Sequence, residues 1–224
     1  MKIKRVSKMI MLFSILFILA ACNTAQTTAP ETAPDIHGPE EIVSDAQTAL
    51  QFLKEGNQRF VNNQAMSRDS NTEDRGMLSD GQSPFAVVVT CSDSRVPPEL
   101  YFDQKLGDIF VIRNAGNIAD DTALGSIEYA VEHLHTPLVV VVGHSSCGAV
   151  TGAFEGGEFP ENLQGIIDTI DTSIAGSSDL NDAILDNING VAAQIKNDEI
   201  IHEMGAEVVE AHYNLESGEV EWLE

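Results

Sequence analysis

The chain has 224 residues, 43% hydrophobic and 21% charged, with 35 acidic residues against 12 basic ones. That length supports one domain with a sizeable core. A formal charge of −23 leaves no basic patch to neutralise phosphates, which argues against nucleic acid, and it disfavours direct attraction to anionic lipid headgroups.

The first elements form an address. Lys2, Lys4, Arg5 and Lys8 precede an almost wholly apolar run over 9–21. A positive start followed by a hydrophobic stretch too short for an ordinary transmembrane helix is the layout of a secretory signal. The run ends Leu19-Ala20-Ala21-Cys22, and small residues before a cysteine resemble the lipobox of bacterial lipoproteins. On that reading 1–21 is removed and Cys22 carries lipid, and residues 22–41, rich in Thr, Ala and Pro, are a disordered tether. The expected location is the cell membrane or outer membrane, facing the periplasm or exterior. The catalytic unit is expected over 42–224.

Ser44-Asp45-Ala46-Gln47 reads as a capping box opening a helix over 44–62, with Ala46, Ala49, Leu50, Leu53 and Phe60 on one face. Residues 63–83 are polar and read as loop. Short apolar runs at 85–90 (FAVVVT), 109–112 and 138–142 (LVVVV) read as strands. Continuous rather than alternating apolarity points to a parallel sheet buried on both faces. Helical segments are expected over 121–134, 148–154, 162–175 and 181–196. Two late strands follow, over 207–214 and 219–223, joined by a turn at Ser217-Gly218. Strand and helix alternate, so the fold class is α/β.

The chemistry lies just beyond two of these strands. Cys91-Ser92-Asp93-Ser94-Arg95 follows the first, and His144-Ser145-Ser146-Cys147-Gly148 follows the third. Open α/β sheets bind ligands outside the carboxyl ends of their strands, and the two motifs face each other if those strands are neighbours. Two thiolates and one imidazole suit zinc, and a catalytic zinc site keeps three protein ligands and one open position. A Cys91–Cys147 disulfide is the competing reading, natural in an oxidising exterior. Asp93 and Arg95 are close enough to pair. Their pairing either stiffens the loop or fixes Asp93 toward the open metal position, and Asp93 as fourth ligand would close that position.

Taken together, Cys-x-Asp-x-Arg and His-x-x-Cys resemble the β-class carbonic anhydrases. The resemblance extends to ALQFLKEGNQRF at 49–60, RNAGN at 113–117, SIEYAVE at 126–132 and AHYNLESGEV at 211–220, covering residue 42 to the end. It implies a mainly parallel sheet flanked by helices, with an N-terminal helix packing on a partner subunit of a homodimer or dimer of dimers. It implies Zn2+ on Cys91, His144 and Cys147, and reversible hydration of carbon dioxide to bicarbonate and a proton by zinc-bound hydroxide, oriented by Asp93 and Arg95. Zinc brings its bound water to a pKa of about 7 in a three-histidine carbonic anhydrase, a magnitude that belongs to that site. Two thiolates leave the metal less positive, so weaker acidification is expected here. Gln104 and Gly148 are expected near substrate. Trp222 is the single tryptophan and lies near the end, so no regulatory bicarbonate site is expected. Hydrolysis of carbon disulfide or carbonyl sulfide on the same zinc, and a metal-free binding scaffold, are the competing functions.

Overall fold

The structure is a computed structural model, and it describes residues 42–66 and 71–223. Its centre is a five-stranded sheet in the order β2-β1-β3-β4-β5, formed by β1 (Ala86–Cys91), β2 (Ile109–Asn114), β3 (Leu138–His144), β4 (Glu207–Tyr213) and β5 (Val220–Leu223). The first four strands run parallel and β5 is antiparallel to β4. Every residue of β1 and β3 is buried, as expected for a sheet covered on both faces. β2, at the sheet edge, is only half-buried. The α/β class and the mainly parallel sheet flanked by helices are therefore present as read from the apolar runs.

The longer helices follow their apolar stripes. They are α1 (Ala46–Val61), α4 (Asp121–Glu128, continued by a wider turn over Tyr129–His133), α5 (Gly148–Glu155), α6 (Glu161–Ile174) and α7 (Leu180–Lys196). Helix α7 lies against β3 and β4, and α1 meets β1, β3 and the short α3 (Pro98–Tyr101). Gly56 is what lets α1 approach α3: a Cβ there would sit 1.7 Å from the Phe102 carbonyl oxygen.

Four expectations are corrected. The cap of α1 is Asp45 rather than Ser44: its carboxylate accepts from the Thr48 amide at 2.8 Å, and Gln47 instead reaches Glu207 at the start of β4. The span 63–83 is not all loop. Asn71 accepts from the Glu73 and Asp74 amides, and the Asp74 carboxylate accepts from the Asn71 amide, opening α2 (Thr72–Met77) and a 3-10 turn over Leu78–Asp80. These residues carry no apolar stripe, so the signal lay in the cap alone. Helix α8 (Glu199–Met204) was also absent from the expectation. Asp198 caps it, accepting from the Ile200 and Ile201 amides, and Gly205 ends it at φ 72°. The expected strand over 109–112 is longer by two residues, which brings Arg113 and Asn114 into the ladder opposite Thr90 and Cys91.

Candidate metal centre

The strand order creates the site. From β1 the chain crosses to β2 on one side, and β3 pairs on the other, so β1 and β3 flank a topological switch point. Crevices outside strand carboxyl ends at such points are where open α/β sheets hold ligands. Register places Thr90 opposite Val142, so Cys91 and His144 leave the sheet at the same end.

The Cys91 and Cys147 sulfurs and a ring nitrogen of His144 all lie within 4.8 Å of one another, and all three residues are buried. Both cysteines are free, with sulfurs 4.0 Å apart, so the disulfide expected of a scaffold is not formed. His144 Nδ1 lies 3.0 Å from the Ser145 carbonyl oxygen. A carbonyl only accepts, so Nδ1 carries the proton and Nε2 presents its lone pair. Nε2 is buried and has no hydrogen-bond partner among the described residues. An orphaned acceptor beside two thiols is the donor set of a soft-to-borderline cation, and these residues fit zinc.

A backbone amide prepares one of the sulfurs. Cys91 Sγ accepts from the amide of Asp93 at 3.4 Å. Cys147 stands at the N-cap of α5, and its carbonyl accepts from the Thr151 hydroxyl at 2.9 Å. The contact with Cys147 is the largest cause that brings the Cys91 thiol down to about 4, against burial. The same contact and burial push Cys147 up, as expected when two close sulfurs share one proton. A cation between them would replace that proton.

Asp93 and Arg95 form a bidentate pair. Arg95 Nε donates to Oδ1 at 2.9 Å, a terminal nitrogen donates to Oδ2 at 2.6 Å, and the Arg95 amide also donates to Oδ1. These bonds hold the Asp93 carboxyl well below the usual carboxylate range. A depressed carboxyl contributes stability above its unfolded value and loses it only as pH falls through the lowered one, so Asp93 is ionised at every neutral and mildly acidic pH. Both oxygens face Arg95, and Asp93 is not a member of the three-residue cluster.

A family model described as carbonic anhydrase matches residues 86–220. The chain belongs to the carbonic anhydrase family. It is 43% identical over 162 residues to a carbonic anhydrase of Mycolicibacterium smegmatis, covering 68% of this chain and 79% of that protein. It is 52% identical over 105 residues to carbonic anhydrase 2 of Mycobacterium tuberculosis, covering 47% of this chain and 51% of that one. Among solved structures, the β-carbonic anhydrase CcaA superposes with a TM-score of 0.63 at 30% identity, covering 78% of this chain and 95% of that one. A structure from a study of two tetrameric β-carbonic anhydrases of Sordaria macrospora gives 0.63 at 26% identity, covering 79% and 97%. The likeness places this member of the family in its β class.

Of the substrate contacts expected in this carbonic anhydrase, Gly148 opens α5, and a Cβ there would meet no atom within 4 Å, so the helix start borders open space. Gln104 has a different task. Its amide nitrogen donates to the Phe102 and Phe52 carbonyls beside α1, at 2.6 and 3.3 Å, and the side chain is buried. Cys22 lies outside the described residues.

Arg113 and Gly116 had no individual role in the sequence reading. Arg113 Nε donates to the Cys91 carbonyl at 3.0 Å and a terminal nitrogen to the Asp93 carbonyl at 2.7 Å, clamping the loop that carries ligand and dyad. Gly116 holds φ 75°, and a Cβ there would meet Ile170 at 2.6 Å. Their signal was the motif RNAGN, where a glycine directly after a strand marks a tight turn.

Proposed function

We propose that this chain is a zinc-dependent carbonic anhydrase that reversibly hydrates carbon dioxide to bicarbonate and a proton, with Cys91, His144 and Cys147 as the ligands. The partnerless, buried Nε2 of His144, clustered with two sulfurs, carries this reading. Bound zinc supplies Lewis-acid activation of water at neutral pH. The chain's own residues do the rest. The Asp93 amide donates to the Cys91 sulfur and stabilises its thiolate. Asp93, kept ionised by Arg95, offers an acceptor that orients the hydrogen of the attacking oxygen, and its pairing with Arg95 leaves the fourth position to solvent and substrate.

The test is metal analysis with stopped-flow hydration on the purified protein. About one zinc per chain is expected. Hydration should vanish on chelation and return with zinc. A zinc-loaded chain that does not hydrate carbon dioxide sinks the proposal.

The working unit we propose is a homodimer or dimer of dimers in which α1 packs on the partner subunit. Support comes from edge strand β2, whose Phe110, Val111 and Ile112 are only half-buried, from exposed Leu106 just before it, from exposed Tyr129, whose ring lies 6.2 Å from that of Phe110, and from the tetrameric Sordaria macrospora proteins. A monomer in sedimentation at micromolar concentration removes it.

The exported, lipid-anchored form is likewise proposed, on the basic start, the apolar run and Ala20-Ala21-Cys22, with 1–21 as signal, 22–41 as tether and 42–224 as catalytic domain. Among the described residues no helix is long and apolar enough to cross a membrane. Expressed in a bacterium, the wild-type chain should partition into detergent, and Cys22→Ala should move it to the aqueous phase. Equal partitioning of the two would refute lipidation.

A further inference from the structure

His144 is aimed by the residue that follows it. Its Nδ1 donates to the Ser145 carbonyl at 3.0 Å, which leaves Nε2 to the metal cluster. That carbonyl belongs to the peptide unit joining Ser145 to Ser146, and Ser146 stands at φ 57°. The left-handed region is unfavourable for a residue with a side chain, because Cβ crowds the following carbonyl oxygen. Ser146 is exposed, so the packing of its own side chain does not impose that shape. Such a conformation persists only where the surroundings over-determine it.

Ser145 supplies the restraint. Its amide donates to the Tyr213 carbonyl at 3.0 Å, just past the last register pair of β3 and β4, His144 with Tyr213. Its hydroxyl accepts from the Leu215 amide at 3.0 Å. The first bond fixes the peptide unit before the Ser145 Cα, and the second fixes the side chain on it. Together they restrict the direction of the carbonyl that follows. Leu215 is a firm anchor, because the bend between β4 and β5 is closed by its own bonds. The Asn214 side chain accepts from the Glu216 and Ser217 amides, and the Asn214 carbonyl accepts from the Gly218 amide. The bend is also seated on α1, where buried Asn57 donates to the Gly218 carbonyl and accepts from the Val220 amide, both at 2.9 Å.

We propose that Ser145 is a positioning residue for the metal centre. Its hydroxyl, docked on the Leu215 amide, holds the Ser145–Ser146 peptide so that its carbonyl keeps the proton on His144 Nδ1 and turns Nε2 toward the two sulfurs. The group that accepts from the far nitrogen of a ligating histidine fixes its tautomer and ring direction, and disturbing it typically costs about 10–100-fold in metal affinity. This inference rests on the metal reading above.

The experiment compares the full-length wild type with Ser145→Ala, with the isosteric pair Ser145→Thr and Ser145→Val, and with Val191→Ala, which removes buried volume from α7. Zinc affinity is read by competition with a chromophoric chelator. The His144 ring is read in the zinc-loaded protein by the NMR signal of its Nδ1 proton, which a hydrogen bond protects from exchange with water. Ser145→Ala and Ser145→Val should weaken zinc binding about 10-fold or more and speed that exchange. Ser145→Thr keeps the hydroxyl and should match the wild type in both. Val191→Ala should lower the melting temperature and leave both readouts unchanged. Wild-type affinity and exchange in Ser145→Ala would overturn the inference, as would equal losses in the threonine and valine variants or the same loss in Val191→Ala. If Ser145→Ala does not fold, the threonine and valine pair is read by the same criteria. A wild-type chain that takes up no zinc would overturn the metal reading itself, and this inference with it.

Discussion

Replacing Cys147 with serine is expected to strip the centre of its metal and with it all measurable hydration. Serine preserves the shape of the side chain, so α5 should start in the same place and the fold should survive. What it removes is the thiolate. The Cys91 sulfur lies 4.0 Å from that sulfur, and the two sulfurs and the His144 nitrogen converge within 4.8 Å. A serine hydroxyl does not ionise under the same conditions, and a neutral oxygen is a poor partner for a borderline-soft cation. Even removal of a group that only supports a ligand costs about 10–100-fold in affinity, so losing a ligand should cost more than about 100-fold. Chelator competition and metal analysis read this directly, with circular dichroism to show that the fold is intact. Stoichiometric zinc at wild-type affinity in Cys147→Ser would exclude Cys147 as a ligand.

Asp93→Ala is expected to separate metal binding from turnover. The carboxylate is committed to Arg95 through both oxygens and is outside the ligand cluster, so zinc content should stay at the wild-type level. Turnover should fall by about 10²–10³-fold, the usual cost of one preorganised polar group at a reacting centre. Because Arg95 keeps Asp93 ionised well below neutral pH, the loss should be uniform across neutral and alkaline pH, and the midpoint of the pH–rate curve should not move. Stopped-flow hydration with parallel zinc analysis distinguishes the outcomes. Loss of zinc would make Asp93 a ligand, and wild-type turnover would leave the dyad a mere loop brace.

The parts of the fold that were legible share one trait: their signal is contained in a short window. The runs at 85–90 and 138–142 are apolar throughout because both sheet faces are covered, and they are β1 and β3. The four longer helical segments after β2 carry stripes of the right period. Elements set by one hydrogen bond were not visible in the same way. Helices α2 and α8 depend on Asn71 and Asp198, and α1 starts from Asp45 because that carboxylate, rather than the Ser44 hydroxyl, reaches the Thr48 amide.

The site divides along the same line. The sequence by itself determined which atoms can hold a metal, in what order, and which carboxylate and guanidinium accompany them, because two thiols, an imidazole and an Asp-x-Arg pair are chemical identities that survive without a fold. It did not determine that Gln104 spends its amide on the backbone beside α1, or that Arg113 clamps the Cys91 loop. Arg113 lies 22 positions from Cys91, and Gln104 lies 52 from Phe52. Nor did it determine that β3 inserts beside β1, the step that brings His144 to Cys91. Which strand pairs with which depends on covering both faces of the whole sheet at once, and no local window contains that choice.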